Sequence, residues 1–184
     1  MIYFISGHRD VSHREFVNGY SNVIDLILET DKNPEFVVGD YVGVDTLAQS
    51  YLSSLVASGK LQKDSVTVYH MFAEPRNNTG DFQTFGGFIN DEDRDGAMTA
   101  VSDVDIAWVR PGKKGSGTQQ NIDRRANKGK PLLVFKFEGE VTSAYSTEIH
   151  ARDEKEALEV LRTRIEGDGI TRSDVLAFDY NLIK

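Results

Sequence analysis

Gly115-Ser116-Gly117-Thr118 runs directly into an amphipathic segment, with Lys113 and Lys114 just before it. Glycines let a backbone approach an anion closely. Free amides at the start of a helix, with the helix dipole behind them, favour a phosphate. Ser116 and Thr118 add hydroxyl donors, so the loop has the chemistry of a phosphate cradle, although a flexible turn with a capping threonine would use the same residues. A second glycine turn, Gly39-Asp40-Tyr41-Val42-Gly43-Val44-Asp45, carries two carboxylates. Asp40 and Asp45 can accept hydrogen bonds from ribose hydroxyls, or one can act as a general base. Helix capping by Asp45 or a solvated turn accounts for them equally well. Ser6, Gly7, His8 and Arg9 form a third turn, while Arg76 and Arg110 stand after two further apolar runs. No HExxH or other spaced ligand set is present, so neither a zinc site nor another metal or cofactor is expected.

The elements that would position these residues alternate along the chain. Met1–Ser6, Glu35–Gly39, Ser65–Met71, the DVDIAWV run after Ser102, and Pro131–Phe137 read as short buried strands. Between them, Ser12–Glu29 has apolar residues at Phe16, Tyr20, Val23, Ile24, Ile27 and Leu28, which make one helical face. Ser12 and Glu15 form a capping-box pair at its start. Val44–Val56 and Thr118–Lys128 read as further helices. Strands alternating with helices imply an α/β, Rossmann-like, doubly wound and mainly parallel sheet. In such a sheet ligands bind beyond the carboxyl ends of the strands, where the loops above should converge.

Two stretches depart from that rhythm. Residues 72–91, rich in Gly, Asn and Phe, read as a long irregular loop. Its Phe82, Phe85 and Phe88 suggest a lid whose rings stack on a base, or rings that cover the sheet edge. After Glu138 the pattern changes: YSTEIHA alternates as a strand, Asp153–Glu166 is a charged amphipathic helix, and VLAFDY is a last strand. The expected organisation is therefore a Rossmann-like domain over 1–137 and a small β-α-β extension over 138–184.

Composition narrows the function classes. The chain has 184 residues, 39% hydrophobic and 27% charged, a balance ordinary for a globular domain. With no cysteine there is no disulfide framework and no thiolate metal site. No apolar run reaches membrane-spanning length, and the N-terminal run lacks a basic lead, so a cytoplasmic protein is expected. The net charge of −8 opposes general binding to a phosphate backbone but leaves room for a local anion pocket.

The order of these motifs resembles the SLOG superfamily. GHRD follows the first strand, VVGDYVGVDTLAQSYL spans the second, RDGAMTAVSDVDIAWV leads into the fourth, and GSGTQQN precedes KGKPLLVF. The likeness is greatest to the YspA-like branch, whose Gly-x-Asp-x-x-Ala motif is matched by Gly43, Asp45 and Ala48. Its Arg-centred motif is matched by Arg94, with Asp95 in place of the usual Asn, and its Gly-Thr helix start by Gly117 and Thr118. The likeness covers residues 1–137. It implies a nucleotide or a nucleotide-derived ligand.

More distant relatives of the LOG type cleave the N-glycosidic bond of nucleoside monophosphates with a Pro-Gly-Gly-x-Gly-Thr-x-x-Glu motif. Here Lys113 and Lys114 replace its Pro and first Gly, and Asn121 replaces its Glu. An amide cannot ionise, so Asn121 removes the expected acid or nucleophile while keeping the cradle. The resemblance thus puts ligand binding, as in a sensor, ahead of hydrolysis. Hydrolysis with a relocated carboxylate, Asp40 or Asp45, stands second, and a protein-interaction module third. A homodimer is compatible with each.

Overall fold

The computed structural model describes residues 1–109, 113 and 115–128 with their side chains, and the backbones of three further strands. In order the elements are β1 (Ile2–Ser6), α1 (His13–Phe16), a π-helical turn (Val17–Ser21), α2 (Asn22–Thr30), β2 (Glu35–Val38), α3 (Val44–Ala57), β3 (Val66–Met71), β4 (Gln83–Phe88), α4 (Asp91–Val101), β5 (Val104–Ala107), α5 (Gly117–Asn127), β6 (Leu132–Phe137), β7 (Tyr145–Ala151) and β8 (Phe178–Leu182). They form one sheet of order β4-β3-β2-β1-β5-β6-β7-β8. Neighbours are parallel from β4 through to β6. β7 runs antiparallel to β6, and β8 parallel to β7.

The period of two in the strands decides where the helices go. Tyr3 and Ile5 of β1, in register with Phe36 and Val38 of β2 and with Val104 and Ile106 of β5, point to one face. There they meet Phe16, Tyr20, Val23, Ile24 and Ile27 of the first helical segment and Val44, Ala48, Leu52 and Leu55 of α3. Phe4 and Val37 point to the other face, with Tyr69 of β3 and Met98 of α4, and Ala107 meets Ile122 of α5 on that side. Burying each such large side chain contributes about 1.5–3 kcal/mol. Both faces are covered, as a doubly wound α/β sheet requires. Within the second face Arg125 and Asp105 form a fully buried ion pair at 2.8 Å, and Arg125 also donates to the Ser102 carbonyl at 2.7 Å.

The Ser12–Glu15 capping box forms at the start of α1, with the Ser12 amide 2.7 Å from a Glu15 carboxylate oxygen. Residues 72–91 are not an irregular loop: they contain β4 and the first residue of α4. β4 escapes a reading by alternation because it is an edge strand whose side chains are almost all exposed. Gln83 holds it to the β3 side through the Thr67 hydroxyl and the Asp64 carbonyl. α4 escapes because its buried stripe is Arg94, Met98 and Thr99, a helical face with an arginine where an apolar residue would signal it. The YSTEIHA strand lies at β7, and residues 178–180 of VLAFDY lie in β8, its first three residues falling outside the described residues. Its pairing with β7 continues the main sheet, while the expected helix over residues 153–166 lies outside the described residues. No helix among the described residues is long and apolar enough to cross a membrane.

Candidate functional site

The strand order reverses direction between β1 and β5, and a crevice of about 280 Å³ opens at their carboxyl ends. Its walls come from the turn after β1 (Ser6, Gly7, His8, Arg9), the turn after β2 (Tyr41, Val42, Asp45), α4 (Asp91, Arg94, Asp95, Met98) and the start of α5 (Ser116, Gly117, Thr118, Asn121), with Phe4 at the base. Tyr20 lies in the π-helical turn. Its hydroxyl donates to the Ser6 carbonyl at 2.9 Å and accepts from the Trp108 amide at 3.1 Å, which ties the ends of β1 and β5 together beneath the crevice. Ser6 is buried, and its hydroxyl oxygen has no hydrogen-bond partner among the described residues.

Two glycines set the second wall. Gly43 has φ of +91°, and a Cβ there would lie 2.4 Å from the Arg9 Cα and 2.6 Å from its carbonyl, so the turns after β1 and β2 touch only through a glycine. A Cβ on Gly39 would lie 2.3 Å from Asp45 Oδ2 and 3.3 Å from Arg94 Cζ. That position is bare because Asp45 folds back over it. Asp45 Oδ2 accepts the Tyr41 amide at 3.0 Å, and the N-cap of α3 is Gly43. Asp45 is therefore not a helix cap. Its residue is half-buried, with one side on the crevice. Burial pushes its carboxyl up to about 7, against the pull of Arg94 and the Tyr41 amide, and the charges of Asp95 and Asp40 push the same way as burial.

Asp40 has the opposite fate. It is fully buried and takes both nitrogens of the Arg76 fork, Nε at 3.0 Å and Nη2 at 2.6 Å, plus the Arg76 amide at 2.9 Å and Arg94 Nη1 at 2.9 Å. Burial alone would raise this carboxyl; the hydrogen bonds and charge of Arg76, with Arg94 behind, outweigh it and hold Asp40 below the usual carboxylate range. Arg94 also pairs with Asp91 at 3.0 Å and with Asp95 at 2.8 Å. Gln49 is buried and stitches residues 77–79 to the β2 turn, donating to the Gly39 carbonyl at 2.8 Å and accepting the Thr79 amide at 2.9 Å. The segment after β3 is thus fastened down by Arg76, Asn77 and Gln49, and is not hung as a lid.

At the third wall, Ser116 is the N-cap of α5, its hydroxyl accepting the Gln119 amide at 3.2 Å. The Gly117 and Thr118 amides, one turn too early for an intrahelical acceptor, have no partner among the described residues. Asn121 is buried one turn on. It donates to Asp95 Oδ2 at 3.2 Å and accepts from Arg124 Nη1 at 2.6 Å.

Of the residues singled out from sequence, Ser6, Gly7, His8, Arg9, Asp45, Arg94, Ser116, Gly117, Thr118 and Asn121 line this crevice. Asp40, Gly39, Gly43, Arg76 and Gly115 do not; the first four shape or brace its second wall from behind. Asp40 in particular, committed to two guanidinium groups, is not placed to act on a ligand. Arg110 lies outside the described residues. The rings expected over the crevice are elsewhere: Phe82 is in the core, and Phe85 and Phe88 pack on Tyr69 at the sheet edge. Tyr41, Val42, Asp91 and Met98 line the crevice without having been singled out. Tyr41 and Val42 stood in plain view inside the glycine turn, whereas Asp91 and Met98 needed α4 to be recognised. Compared with known proteins, the chain matches no family model and no curated protein.

Proposed function

We propose that the crevice binds a nucleotide or a nucleotide-derived small molecule, with its phosphate at the start of α5 and its ribose hydroxyls toward the carboxylates of the opposite wall. The observation that carries this reading is the start of α5, where Gly117 and Thr118 line a crevice at the strand switch point and their amides bond to none of the described residues. The unpartnered Ser6 hydroxyl and the exposed Arg9 add donors on the same side. The resemblance to SLOG proteins points the same way.

Calorimetry with nucleoside monophosphates tests the placement. A Cβ at Gly117 meets nothing within 4 Å, so Gly117→Val should fold normally while its side chain crowds the anion. Affinity should fall at least tenfold, about 1.4 kcal/mol. Unchanged affinity in a folded Gly117→Val protein rules out phosphate at this helix start.

One observation favours a second reading, N-glycosidic hydrolysis. A carboxyl that titrates at about 7 inside a crevice is suited to acid–base work at neutral pH, and Asp45 is such a group. Rapid release of free base from nucleoside monophosphates by the native protein, lost in Asp45→Asn, would put this reading first. Stable binding without base release keeps the protein a binder.

A further inference from the structure

We propose that Tyr41 is a ring-stacking platform at the crevice rim, and that it receives the planar heteroaromatic base of the ligand. The inference rests on the nucleotide reading above and adds to it the subsite that holds the base.

Tyr41 stands in the turn after β2, lines the crevice and is 41% exposed. Phe4, the other benzene-type ring among the described lining residues, is only 1% exposed and belongs to the floor. Beside Tyr41, Val42 is 51% exposed, so the rim over the β2 turn is apolar, while Arg9, Asp91, Arg94 and Asp95 bring charge to the other walls. That division matches a ligand with a flat, weakly polar end and an anionic end. The volume points the same way. About 280 Å³ is just below the usual range for ligand pockets, roughly 300–1,000 Å³, which suits a sugar phosphate inside with its attached base left at the rim.

The ring is held in place before any ligand arrives. The Arg76 guanidinium lies against one face, with Cζ 4.8 Å from the ring centroid. That guanidinium is itself locked in a two-pronged contact with the buried Asp40. The backbone end is fixed as well, since the Tyr41 amide donates to Asp45. A ring backed by a fixed cation and tethered at its backbone loses little freedom when a base stacks on it. The Arg76–Asp40 pair thereby acquires a purpose that its distance from the crevice interior would not suggest.

Calorimetry on the full chain, comparing native protein with Tyr41→Ala and Tyr41→Phe, tests this. The probes are nucleoside monophosphates carrying adenine, guanine, cytosine or uracil, and the same sugar phosphate without a base. Stacking on an aromatic side chain is sequence-tolerant and accounts for about a tenfold to hundredfold difference in affinity. Tyr41→Ala should weaken the nucleotides by that factor and leave the base-free sugar phosphate within about twofold. Tyr41→Phe should keep nucleotide affinity, and bound bases should show upfield ring-current displacements of their proton signals in native and Phe proteins only. Equal losses for nucleotide and sugar phosphate in Tyr41→Ala mean a structural role and overturn the platform. Undiminished nucleotide affinity in Tyr41→Ala, or loss in Tyr41→Phe, overturns it too; in all these cases the nucleotide reading survives. No binding of either probe class by the native protein overturns both.

Discussion

Replacing Asp45 by Asn should stabilise the protein at neutral and alkaline pH and do almost nothing at about pH 4. The carboxyl moves from an ordinary 3.8 to about 7 on folding, with burial as the main cause. Between those values the folded chain keeps a proton that the unfolded chain has released, so folding takes up a proton. By linkage, the stability associated with this group is fully present below about pH 4, declines as pH rises and is gone above about pH 7. Each pH unit between the two values corresponds to about 1.4 kcal/mol, so the ceiling is about 4 kcal/mol. One side of Asp45 faces the water of the crevice, and screening there reduces the expected effect to about 2 kcal/mol. Asparagine is a neutral match in shape, and its oxygen can still accept the Tyr41 amide. For a chain of this size a gain of about 2 kcal/mol raises the melting temperature by about 4–8 °C.

Calorimetric melts of native and Asp45→Asn proteins at about pH 4, 6 and 8 should therefore diverge progressively, with the variant ahead. Asp31 and Asp40 behave in the opposite sense. Both are held below the usual carboxylate value, so their stabilisation exists above 3.8 and is lost as pH falls through their lowered values. That acid limb should be common to both proteins. If Asp45→Asn is instead destabilised, and more so at about pH 8 than at about pH 4, the native carboxyl is ionised and paired with Arg94, and the reasoning fails.

Gly43→Ala combines a positive φ with a Cβ 2.4 Å from the Arg9 backbone; a loss of about 2–4 kcal/mol is expected from urea midpoints, and a loss under about 1 kcal/mol would mean that the two turns do not touch as described. Asn121→Glu should not create base release from nucleoside monophosphates, because the new carboxylate would replace an amide that donates to Asp95. It should cost about 1–3 kcal/mol of stability, and a stable variant that frees base rapidly would show that Arg124 absorbs the new charge.

The layered sheet was legible because its strands are short apolar runs and its first and third helices keep an apolar face. β4 and α4 were not, for a shared reason. Each uses polar or glycine positions where a periodic reading expects hydrocarbon: Gly86 and Gly87 in an exposed edge strand, Arg94 in a buried helical stripe. Losing α4 hid part of one wall of the crevice, Asp91 and Met98, while Arg94 and Asp95 entered only through the resemblance. The turns after β1 and β2 and the start of α5 were legible, since loops at strand ends follow from the parallel order alone. Which of two neighbouring carboxylates faces the crevice was not, because the answer depends on Arg76 and Arg94, residues distant in sequence that reach Asp40 and leave Asp45.

That division of labour gives the turn after β2 its logic. Two carboxylates of one type, in one glycine turn, have their proton affinities driven apart by what surrounds them. Asp40 accepts from two guanidinium groups and a backbone amide, so it is a fixed anion that anchors Arg76 and, through Arg76, the Tyr41 ring. Asp45 keeps a single backbone hydrogen bond and shares Arg94 with Asp40, Asp91 and Asp95, too few countercharges to offset its burial. A neutral Asp45 removes one negative charge from a crevice that otherwise sets three carboxylates against Arg9 and Arg94. The start of α5 then borders an interior close to electrical balance, which favours the anion proposed for it. Burial, which Arg94 only partly offsets, thus keeps Asp45 protonated below about pH 7, and there the acidity of the chain as a whole does not extend to the place where a phosphate would sit.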